Sequence, residues 1–349
     1  MKVVRWGIIG CGDVTEKKSG PGFQKAVGSE LVAVMRRNGT LAADYARRHG
    51  VPRWYDDADR LMNDPEVDAI YIATPPSSHR DYTLRAAAAG KPVYVEKPMS
   101  LGPEQSTEMI EACRSAGVPL FVAYYRRAMP KYLRVVDLIQ NGTIGNVRCV
   151  ELAMFQSLRE RDRDPAQRAW RVDPAVSGGG LLLDVGSHAL DLLDLLLGPI
   201  EPSSVVGRAT NLGDAYDAED TVTGIWRHAS GEAGAQGTGV YGTGLWCFCA
   251  DRDEDSVTVI GDTGRLRFSV LDVAAPIIVE ASSGTGGTAG RTVVEVPPPE
   301  HVQQPLIQTA VNELRGAGVC PSTGESALRT DLVMARLRAS ERVADTRSN

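Results

Sequence analysis

The chain has 349 residues, of which 43% are hydrophobic and 23% are charged, and its formal net charge is −6 at pH 7. This length predicts two domains, and the composition is typical of a globular protein. The acidic balance argues against a nucleic-acid surface, and no uninterrupted apolar run is long enough to span a membrane. The six cysteines lack zinc-ligand spacing and the N-terminus resembles no signal peptide, which predicts reduced thiols and a cytoplasmic location.

The first predicted strand, at residues 3–9, stops at Gly10 and Gly12, and a charged segment follows at once. A short buried strand, then glycines, then a helix start is the beginning of a βαβ unit that binds a dinucleotide. Glycine is needed there because the pyrophosphate must approach the backbone N–H groups of the helix start closely. We therefore expect Gly10, Gly12, Asp13 and Val14 to bind a dinucleotide cofactor.

The second strand, predicted at 30–35, is followed by Arg36 and Arg37, with no carboxylate in reach of that position. An acid there would accept from the 2′-hydroxyl of NAD, whereas arginine suits the additional phosphate of NADP. The alternative is a pair of solvated arginines that begin a helix. We expect NADP(H) to be preferred, with NAD(H) as the second choice.

Further strands and helices alternate through the first third of the chain. The remaining predicted elements are strands at 69–73, 92–95 and 120–123 and helices at 41–48, 79–89 and 103–116. This alternation predicts an α/β fold with a doubly wound parallel sheet and a ligand site at the carboxyl ends of its strands. Residues 1–123 are therefore predicted to form a Rossmann domain.

The third strand of this alternation ends in a loop of prolines and small hydroxyl residues. Thr74, Pro75 and His79 lie in or directly after this loop, at the edge where the cofactor is expected, and we assign them to cofactor binding. The alternative is a plain strand-to-helix connection in which Ser77 or Ser78 caps the next helix.

The fourth strand ends in Glu96-Lys97-Pro98, next to the expected position of a nicotinamide ring. A lysine that transfers a proton near neutral pH needs a pKa of about 7–8 instead of ~10.4, and burial or a nearby positive charge lowers it. Glu96 would oppose that decrease if its carboxylate faced the ammonium, so we expect Glu96 to face the cofactor ribose or the backbone. The alternative for Lys97 is a solvated side chain.

The second part of the chain contains strand-like runs without helices between them. Helices are predicted at 130–139, near 305–315 and at 326–343, and strands at 221–226, 237–241, 256–260, 265–270, 277–280 and 292–296. Such runs predict a mostly antiparallel sheet, with a hairpin turn at 260–265 and a glycine-rich surface loop at 282–290. Residues 124–349 are therefore predicted to be an α+β domain for substrate binding and oligomerisation, whose helices from about 305 can pack back on the first domain.

Three ionisable residues stand in or beside a leucine-rich helix. Asp184, His188 and Asp191 are spaced i, i+4 and i+7, which predicts one helix face. His188 is suited to moving a hydroxyl proton, with Asp184 on the substrate or lysine and Asp191 orienting the ring. The alternatives are a buried histidine bonded to a carboxylate and, last, a metal site, for which a further ligand is missing.

Together these features resemble the Gfo/Idh/MocA family of oxidoreductases. The resemblance covers nearly the whole chain and rests on the glycine turn, Ala73-Thr74-Pro75 with His79, Glu96-Lys97-Pro98, Tyr125-Arg126-Arg127, Trp170-Arg171, the triple glycine 178–180 with Asp184 and His188, and residues 321–325. Thr15, the segment 17–22 and Pro76 depart from the usual pattern, and the segment 17–22 breaks the usual first helix.

The resemblance implies a Rossmann domain, an open C-terminal sheet that often forms an oligomer interface, and reversible hydride transfer to sugars or cyclitols. It implies Lys97 and His188 as the acid–base pair and Asp184 as their support or as a ligand of substrate hydroxyls. Trp170 and Arg171 match the segment that approaches nicotinamide and substrate. The substrate residues expected are Lys97, Tyr125, Arg171, Asp184 and His188, with Tyr241 a further candidate for the pocket lining.

We therefore predict an NADP(H)-dependent, homo-oligomeric oxidoreductase that acts on a hydroxyl or keto carbon of a sugar, cyclitol or related polyol. Two other classes remain open: an NAD-dependent glycoside hydrolase and a non-catalytic protein that senses a dinucleotide or sugar.

Overall fold

A parallel sheet of six strands forms the first part of the computed structural model, which describes residues 3–229, 239–281 and 290–339. Its strands are β1 Val4–Ile9, β2 Ser29–Met35, β3 Arg53–Tyr55, β4 Ala69–Ile72, β5 Val93–Val95 and β6 Leu120–Val122. They lie in the order β3-β2-β1-β4-β5-β6, and all neighbours are parallel. This is the strand order of the doubly wound dinucleotide-binding sheet, so the fold predicted for this region is confirmed.

Helices connect these strands and follow the last of them. They are α1 Asp13–Lys17, α2 Gly20–Lys25, α3 Gly39–His49, α4 Ala58–Met62, α5 His79–Ala88, α6 Pro103–Ser115 and α7 Pro130–Gln140. The strand β3 and the helix α4 are missing from the prediction, because three edge residues and a five-residue helix give no periodicity to detect.

The break predicted in the first helix is present, since two short helices, α1 and α2, occupy its place. Gly20 opens α2, and a Cβ there would lie 2.2 Å from Thr15 O and 2.5 Å from the Tyr45 hydroxyl. Thr15 is fully buried and donates its hydroxyl to Gly12 O at 2.7 Å. The departure from the usual pattern at Thr15 is therefore accommodated by burial of the side chain and by a hydrogen bond of its hydroxyl.

A second sheet of eight strands follows in the chain. Its strands are β7 Val147–Ser157, β8 Val206–Thr210, β9 Thr221–Arg227, β10 Tyr241–Ala250, β11 Glu254–Gly261, β12 Gly264–Phe268, β13 Ile277–Ala281 and β14 Gly290–Val294. The order is β14-β13-β12-β11-β7-β10-β9-β8, in which only β7 and β10 pair in parallel. The prediction of a mostly antiparallel sheet is confirmed, and β11 and β12 form the predicted hairpin.

Some predicted elements of this region differ from the structure, and others lie partly outside the described residues. The central strand β7 and the edge strand β8 are missing from the prediction. The strand placed at 237–241 instead begins at Tyr241 and continues to Ala250, with residues 237 and 238 outside the described residues. The predicted loop at 282–290 and the end of the last predicted helix, at 340–343, also lie outside the described residues, apart from Gly290, which begins β14.

One face of the second sheet is exposed around β8, β9 and β10. Along β9 and β10 buried and exposed residues alternate, with Trp226 and Trp246 on the buried side. The exposed side carries Ile225 at 54% exposure and Tyr241 at 62%, together with Val206, which pairs with Ile225 across the strands. We call these three residues and Leu245, which is 41% exposed, the open face.

Helices of the second part and of the chain end complete the fold. They are α8 Glu160–Arg163, α9 Pro174–Ser177, α10 Ser187–Leu197, α11 Gln304–Leu314 and α12 Gly324–Arg338, and a π-helical turn, Leu182–Gly186, leads directly into α10. Among the residues that the structure describes, no helix combines the length and apolarity needed to cross a membrane.

The chain divides into two compact units. The first contains the chain up to Arg134 together with Val176–Gly178 and Val296–Asp331, and so holds the parallel sheet and α11. The second contains Val135–Ala175, Gly179–Glu295 and the chain from Leu332, and so holds the second sheet and α10. The domain boundary expected at residue 123 stays a prediction.

Candidate active site

Glycine is present at the two positions after β1, 10 and 12, for different structural reasons. Gly10 has a φ of +91°, and a Cβ there would lie 2.6 Å from Thr74 Cγ2, so glycine lets the end of β1 pass the end of β4. A Cβ on Gly12 would meet nothing closer than Gly10 O at 3.9 Å. The packing of the protein would therefore accept a side chain at Gly12, and glycine leaves open space beside the first N–H groups of α1, those of Asp13 and Val14. Because these N–H groups have no intrahelical acceptor, the site fits the pyrophosphate of a dinucleotide.

Arg36 and Arg37 are exposed at the carboxyl end of β2. The backbone N–H of Arg36 donates to Tyr55 O at 3.2 Å, and the next residue, Asn38, caps α3 through its side-chain oxygen on Leu41 N. Within the described ranges, neither guanidinium takes part in an ion pair. Both residues are thus accessible at the end of β2, and their contact with the cofactor stays a prediction.

His79 is fully buried, and each ring nitrogen faces a backbone carbonyl. Nε2 lies 2.7 Å from Thr74 O, and Nδ1 lies 3.0 Å from Pro98 O. Burial lowers the pKa of the ring, although these carbonyls favour the charged form. His79 therefore joins the loop after β4 to the loop after β5, and the cofactor contact predicted for it stays a prediction. Thr74 is half-buried and Pro75 exposed at the same edge.

Glu96 is the centre of a buried polar cluster, which we call the Glu96 cluster: Ser19, Tyr71, Glu96 and Gln303. Tyr71 donates its hydroxyl to Glu96 Oε1 at 2.7 Å, and Gln303 Nε2 donates to the same oxygen at 3.0 Å. The Tyr71 oxygen also lies 3.0 Å from Ser19 Oγ, and burial raises the pKa of Tyr71 well above its ordinary value. Of the two orientations expected for Glu96, the carboxylate adopts the one towards the backbone, because Lys97 N donates to Oε2 at 3.2 Å.

Lys97 follows β5 at the carboxyl edge of the parallel sheet. It is half-buried, and the peptide bond between Lys97 and Pro98 is cis. Because the Glu96 carboxylate is held by Tyr71, Gln303 and the backbone, its position is fixed before any ligand binds. Gln303 is missing from the sequence-based site, since a single polar residue about 200 positions away along the chain gives no pattern to detect.

Two residues of the triple glycine, Gly179 and Gly180, lie in the second unit and are explained by close packing. A Cβ on Gly180 would lie 2.4 Å from Glu219 O, and one on Gly179 would lie 2.8 Å from Arg338 Cζ. Glu219 and Arg338 form an ion pair at 2.9 Å, and Gly180 N donates to Glu219 at 3.2 Å. The glycines therefore let the chain pass over this ion pair and enter the π-helical turn.

The three ionisable residues Asp184, His188 and Asp191 lie in the π-helical turn and in the helix that follows it. Asp184 lies in this turn, whereas His188 and Asp191 are buried in the regular helix α10. A π turn contains more residues than an α turn, so Asp184 lies in a wider turn at the entry of the regular helix. The face predicted to be shared by the three residues stays a prediction. The turn packs against Trp246, whose Nε1 would lie 3.0 Å from a Cβ on Gly186.

Asp184 forms an ion pair with Arg171, whose Nε lies 3.1 Å from its Oδ2. Arg171 belongs to the short 3₁₀ turn Trp170–Val172, and its guanidinium stacks on the Trp170 ring at 4.5 Å. The side chain of Asp184 keeps 15% of its surface exposed, because it lines a cavity of about 310 Å³. This places Trp170, Arg171 and Asp184 together within the second unit.

The cavity contains residues that the sequence did not reveal as a site. Its wall includes Arg159, Arg161, Asp162, Arg171, Leu181 and Asp184. Arg159 and Arg161 come from an irregular segment, where the repeated arginine at every second position is the one signal that could have indicated them.

The two tyrosines considered for the pocket differ in burial. Tyr125 is buried in a short 3₁₀ turn after β6, and the Arg126 guanidinium stacks on its ring at 4.8 Å. Tyr241 belongs to the open face of the second sheet, and its assignment to the pocket lining stays a prediction.

Comparisons with known proteins agree with this architecture. Residues 4–124 match the model of an oxidoreductase family with an NAD-binding Rossmann fold, and residues 132–267 match that of the GFO/IDH/MocA C-terminal domain. The chain is 36% identical to Oxidoreductase P35 of Formosa agariphila, over 95% of this chain and 97% of that protein. It is 32% identical to the 1,5-anhydro-D-fructose reductase of Ensifer adhaerens, over 65% of this chain and 66% of that protein.

A solved structure has the same fold over nearly the whole chain. The aldose-aldose oxidoreductase from Caulobacter crescentus, complexed with glycerol, superposes with a TM-score of 0.81 over 96% of both chains, at 23% identity.

Proposed function

Since the chain belongs to the Gfo/Idh/MocA oxidoreductase family and has its NAD-binding Rossmann fold, we propose that it transfers a hydride between nicotinamide and a carbon of a sugar, cyclitol or related polyol. The bound cofactor supplies the hydride acceptor or donor. Support for the substrate class comes from the relative named 1,5-anhydro-D-fructose reductase and the structural neighbour named aldose-aldose oxidoreductase.

The observation that carries the proposal is the Glu96 cluster beside Lys97. Tyr71 and Gln303 hold the Glu96 carboxylate inside the first unit, directly before the lysine at the carboxyl edge of the sheet. This is the edge where a dinucleotide binds in such folds, and the space over Gly12 opens on the same edge.

We assign the chemical roles as follows. Lys97 and His188 move the hydroxyl proton, and the lysine cation stabilises the negative charge that develops on the substrate oxygen. Asp184 binds substrate hydroxyls, and Tyr125, Trp170 and Arg171 stand as further substrate or cofactor contacts.

The test is an assay of nicotinamide absorbance with a panel of aldoses, cyclitols and anhydrosugars. Net oxidation or reduction of the cofactor supports the proposal. Cleavage of a glycoside without net cofactor turnover would instead identify a hydrolase, and binding without any turnover would identify a sensor; either result overturns the oxidoreductase.

The cofactor proposed is NADP(H), with NAD(H) bound more weakly. The segment after β2 presents two exposed arginines, and its one other polar side chain, Asn38, is used to cap α3. A 2′-phosphate needs such cations, whereas a free ribose hydroxyl needs an acceptor.

Dissociation constants of NADPH and NADH decide this choice. We expect the wild type to bind NADPH about tenfold or more tightly than NADH, and Arg36→Asp to remove that preference, since one charged hydrogen bond accounts for such a factor. Arg336→Asp, at an exposed residue of α12, makes the same change of net charge and should keep the preference. Equal or tighter NADH binding by the wild type contradicts the NADP assignment.

We also propose that a second copy of the chain covers the open face. Its apolar residues lie on the same side of three neighbouring strands, β8, β9 and β10, and exposed apolar residues grouped in this way are typical of a protein–protein interface. This gives a homo-oligomer through the second sheet.

A further inference from the structure

The cavity beside Asp184 has an unusual charge composition for a site that would bind a neutral sugar. We call it the arginine pocket, defined by Arg159, Arg161, Asp162, Arg171, Leu181 and Asp184. Its volume of about 310 Å³ lies at the lower end of the usual range for small-molecule sites and is adequate for a monosaccharide. Three guanidinium groups and two carboxylates line it, so its wall has one positive charge in excess.

Two of the three arginines already have acidic partners. Arg171 lies 3.1 Å from Asp184, and its stacking on Trp170 holds it in that position. Arg161 lies 3.8 Å from Asp162, whose side chain is buried. These pairs account for both carboxylates of the wall.

Arg159 is the arginine that remains. It is exposed at the start of α8 and forms no ion pair with any residue that the structure describes. Another arginine of the same segment, Arg168, stabilises the fold through hydrogen bonds to the backbone. It donates to Ala215 O at 2.7 Å and to Asp162 O at 3.4 Å. Among the described residues, the guanidinium of Arg159 has no such hydrogen bond to the backbone, and it lines the pocket.

We propose that the substrate carries an oxyanion, a carboxylate or a sulfate, which Arg159 binds. A guanidinium offers two parallel N–H donors that match the two oxygens of such a group. Asp184 accepts from the hydroxyls of the same molecule, so the pocket recognises an acidic sugar or polyol. This inference rests on the proposed function, because it assigns the substrate class of that reaction.

The test compares matched substrates and matched variants. The substrates are a neutral aldose, the uronate with the same stereochemistry and the sulfate ester of the same aldose. The enzymes are wild type, Arg159→Gln, Arg159→Lys and Arg163→Gln. Arg163 is an exposed arginine of α8 that does not line the pocket, and it serves as the control.

We expect the wild type to have a kcat/KM at least tenfold higher for one anionic substrate than for the neutral aldose. Arg159→Gln should reduce that ratio about 10- to 100-fold, in line with the loss of a charged hydrogen bond. Arg159→Lys should keep part of the ratio, and Arg163→Gln all of it. The anion that is preferred distinguishes a carboxylate from a sulfate substrate.

Calorimetric binding of the uronate and the sulfate ester separates the two proposals. Cofactor turnover on neutral sugars without preference for either anion overturns the inference and leaves the oxidoreductase standing. Binding of an anion that depends on Arg159, without cofactor turnover, supports the pocket and overturns the proposed reaction. Absence of anion binding, or an equal loss in Arg159→Gln and Arg163→Gln, overturns the inference.

Discussion

The two sheets of the protein bury their strands differently. All four residues of β4 in the parallel sheet are buried, whereas exposed and buried residues alternate along β10 in the second sheet. A parallel sheet covered on both faces leaves polar side chains to the ends of its strands, and a sheet with one free face presents side chains along its whole length. In the first sheet the polar side chains therefore lie at one edge. The second sheet presents exposed side chains along a whole face.

The carboxylates of the two units show the same contrast. Glu96 is buried and accepts three hydrogen bonds, all from groups of its own unit. Asp184 keeps part of its surface in a cavity and has Arg171 as its ion-pair partner. A fully bonded carboxylate is suited to holding a neighbour in position, and a partly exposed one is suited to exchanging partners with a ligand. Four experiments test this contrast, beginning with the largest expected effect.

Replacement of Lys97 tests the edge of the first sheet. Lys97→Ala should lower kcat by about 10²- to 10⁴-fold, the range for loss of an acid–base group, while the cofactor dissociation constant changes about threefold or less. The measurement is steady-state kinetics together with fluorescence titration of the cofactor. Lys25→Ala, at an exposed lysine paired with Glu300, is the control and should leave kcat unchanged. A Lys97→Ala enzyme with full turnover would remove the lysine from the mechanism.

A charge on the open face tests the second sheet. Ile225→Lys should raise the dissociation constant of the oligomer about tenfold or more, because it places an unpaired ammonium in an apolar interface. Analytical ultracentrifugation over a range of concentrations measures this. Val27→Lys, at an exposed valine of the first unit, should have no effect. If the wild type itself sediments as a monomer, the open face is not a homo-oligomer interface.

The same substitution in the two sheets compares them directly. Tyr71→Phe should lower the free energy of unfolding by about 1–3 kcal/mol, because the buried Glu96 carboxylate loses a donor. Tyr241→Phe, on the open face, should change it by about 0.5 kcal/mol or less. Urea unfolding of the two variants measures the difference, and equal effects would show that the Glu96 cluster contributes nothing specific.

One buried histidine in each unit contributes to the pH dependence of the free energy of unfolding. Burial lowers the pKa of His79 in the first unit and of His228 in the second below the ordinary value of 6.5. His228 Nε2 accepts from Trp226, so its Nδ1 donates to Gly198 O at 2.7 Å and the ring is held neutral.

As the pH falls below 6.5, the unfolded chain binds protons that the folded chain does not yet bind. The free energy of unfolding should therefore decrease on acidification, by up to about 1.4 kcal/mol per pH unit for each histidine, until the folded pKa values are passed. Urea unfolding between about pH 7 and 5 measures this slope, and His228→Gln should reduce it. A slope unchanged by the substitution would contradict the role of His228.

The parallel sheet could be predicted because continuous apolar runs end at glycine, proline or charge. The strand β7 could not, since Arg148 and Glu151 interrupt its apolar residues and its pairing with β10 and β11 is formed over long sequence separations. A central strand is recognised by its partners, and these are not visible in the local sequence.

The site was predictable where a residue ends a strand or contrasts with its neighbours. Glu96, Lys97 and His188 stand out in this way. Gln303 and Arg159 do not, because their importance comes from the tertiary fold. The π-helical turn at Asp184 also lacks a local signature, since Gly186 of this turn packs against Trp246, which is distant in the sequence.

The glycine turn after β1 also limits which positions can be changed when the coenzyme preference is redesigned. Any larger residue at position 10 would be driven into Thr74, so a mutational library should keep that position fixed for the sake of the backbone. Position 12 should be kept for the sake of the ligand. The exposed Arg36 and Arg37 are separated from both requirements, and randomising them should retune the enzyme with little loss of folded protein.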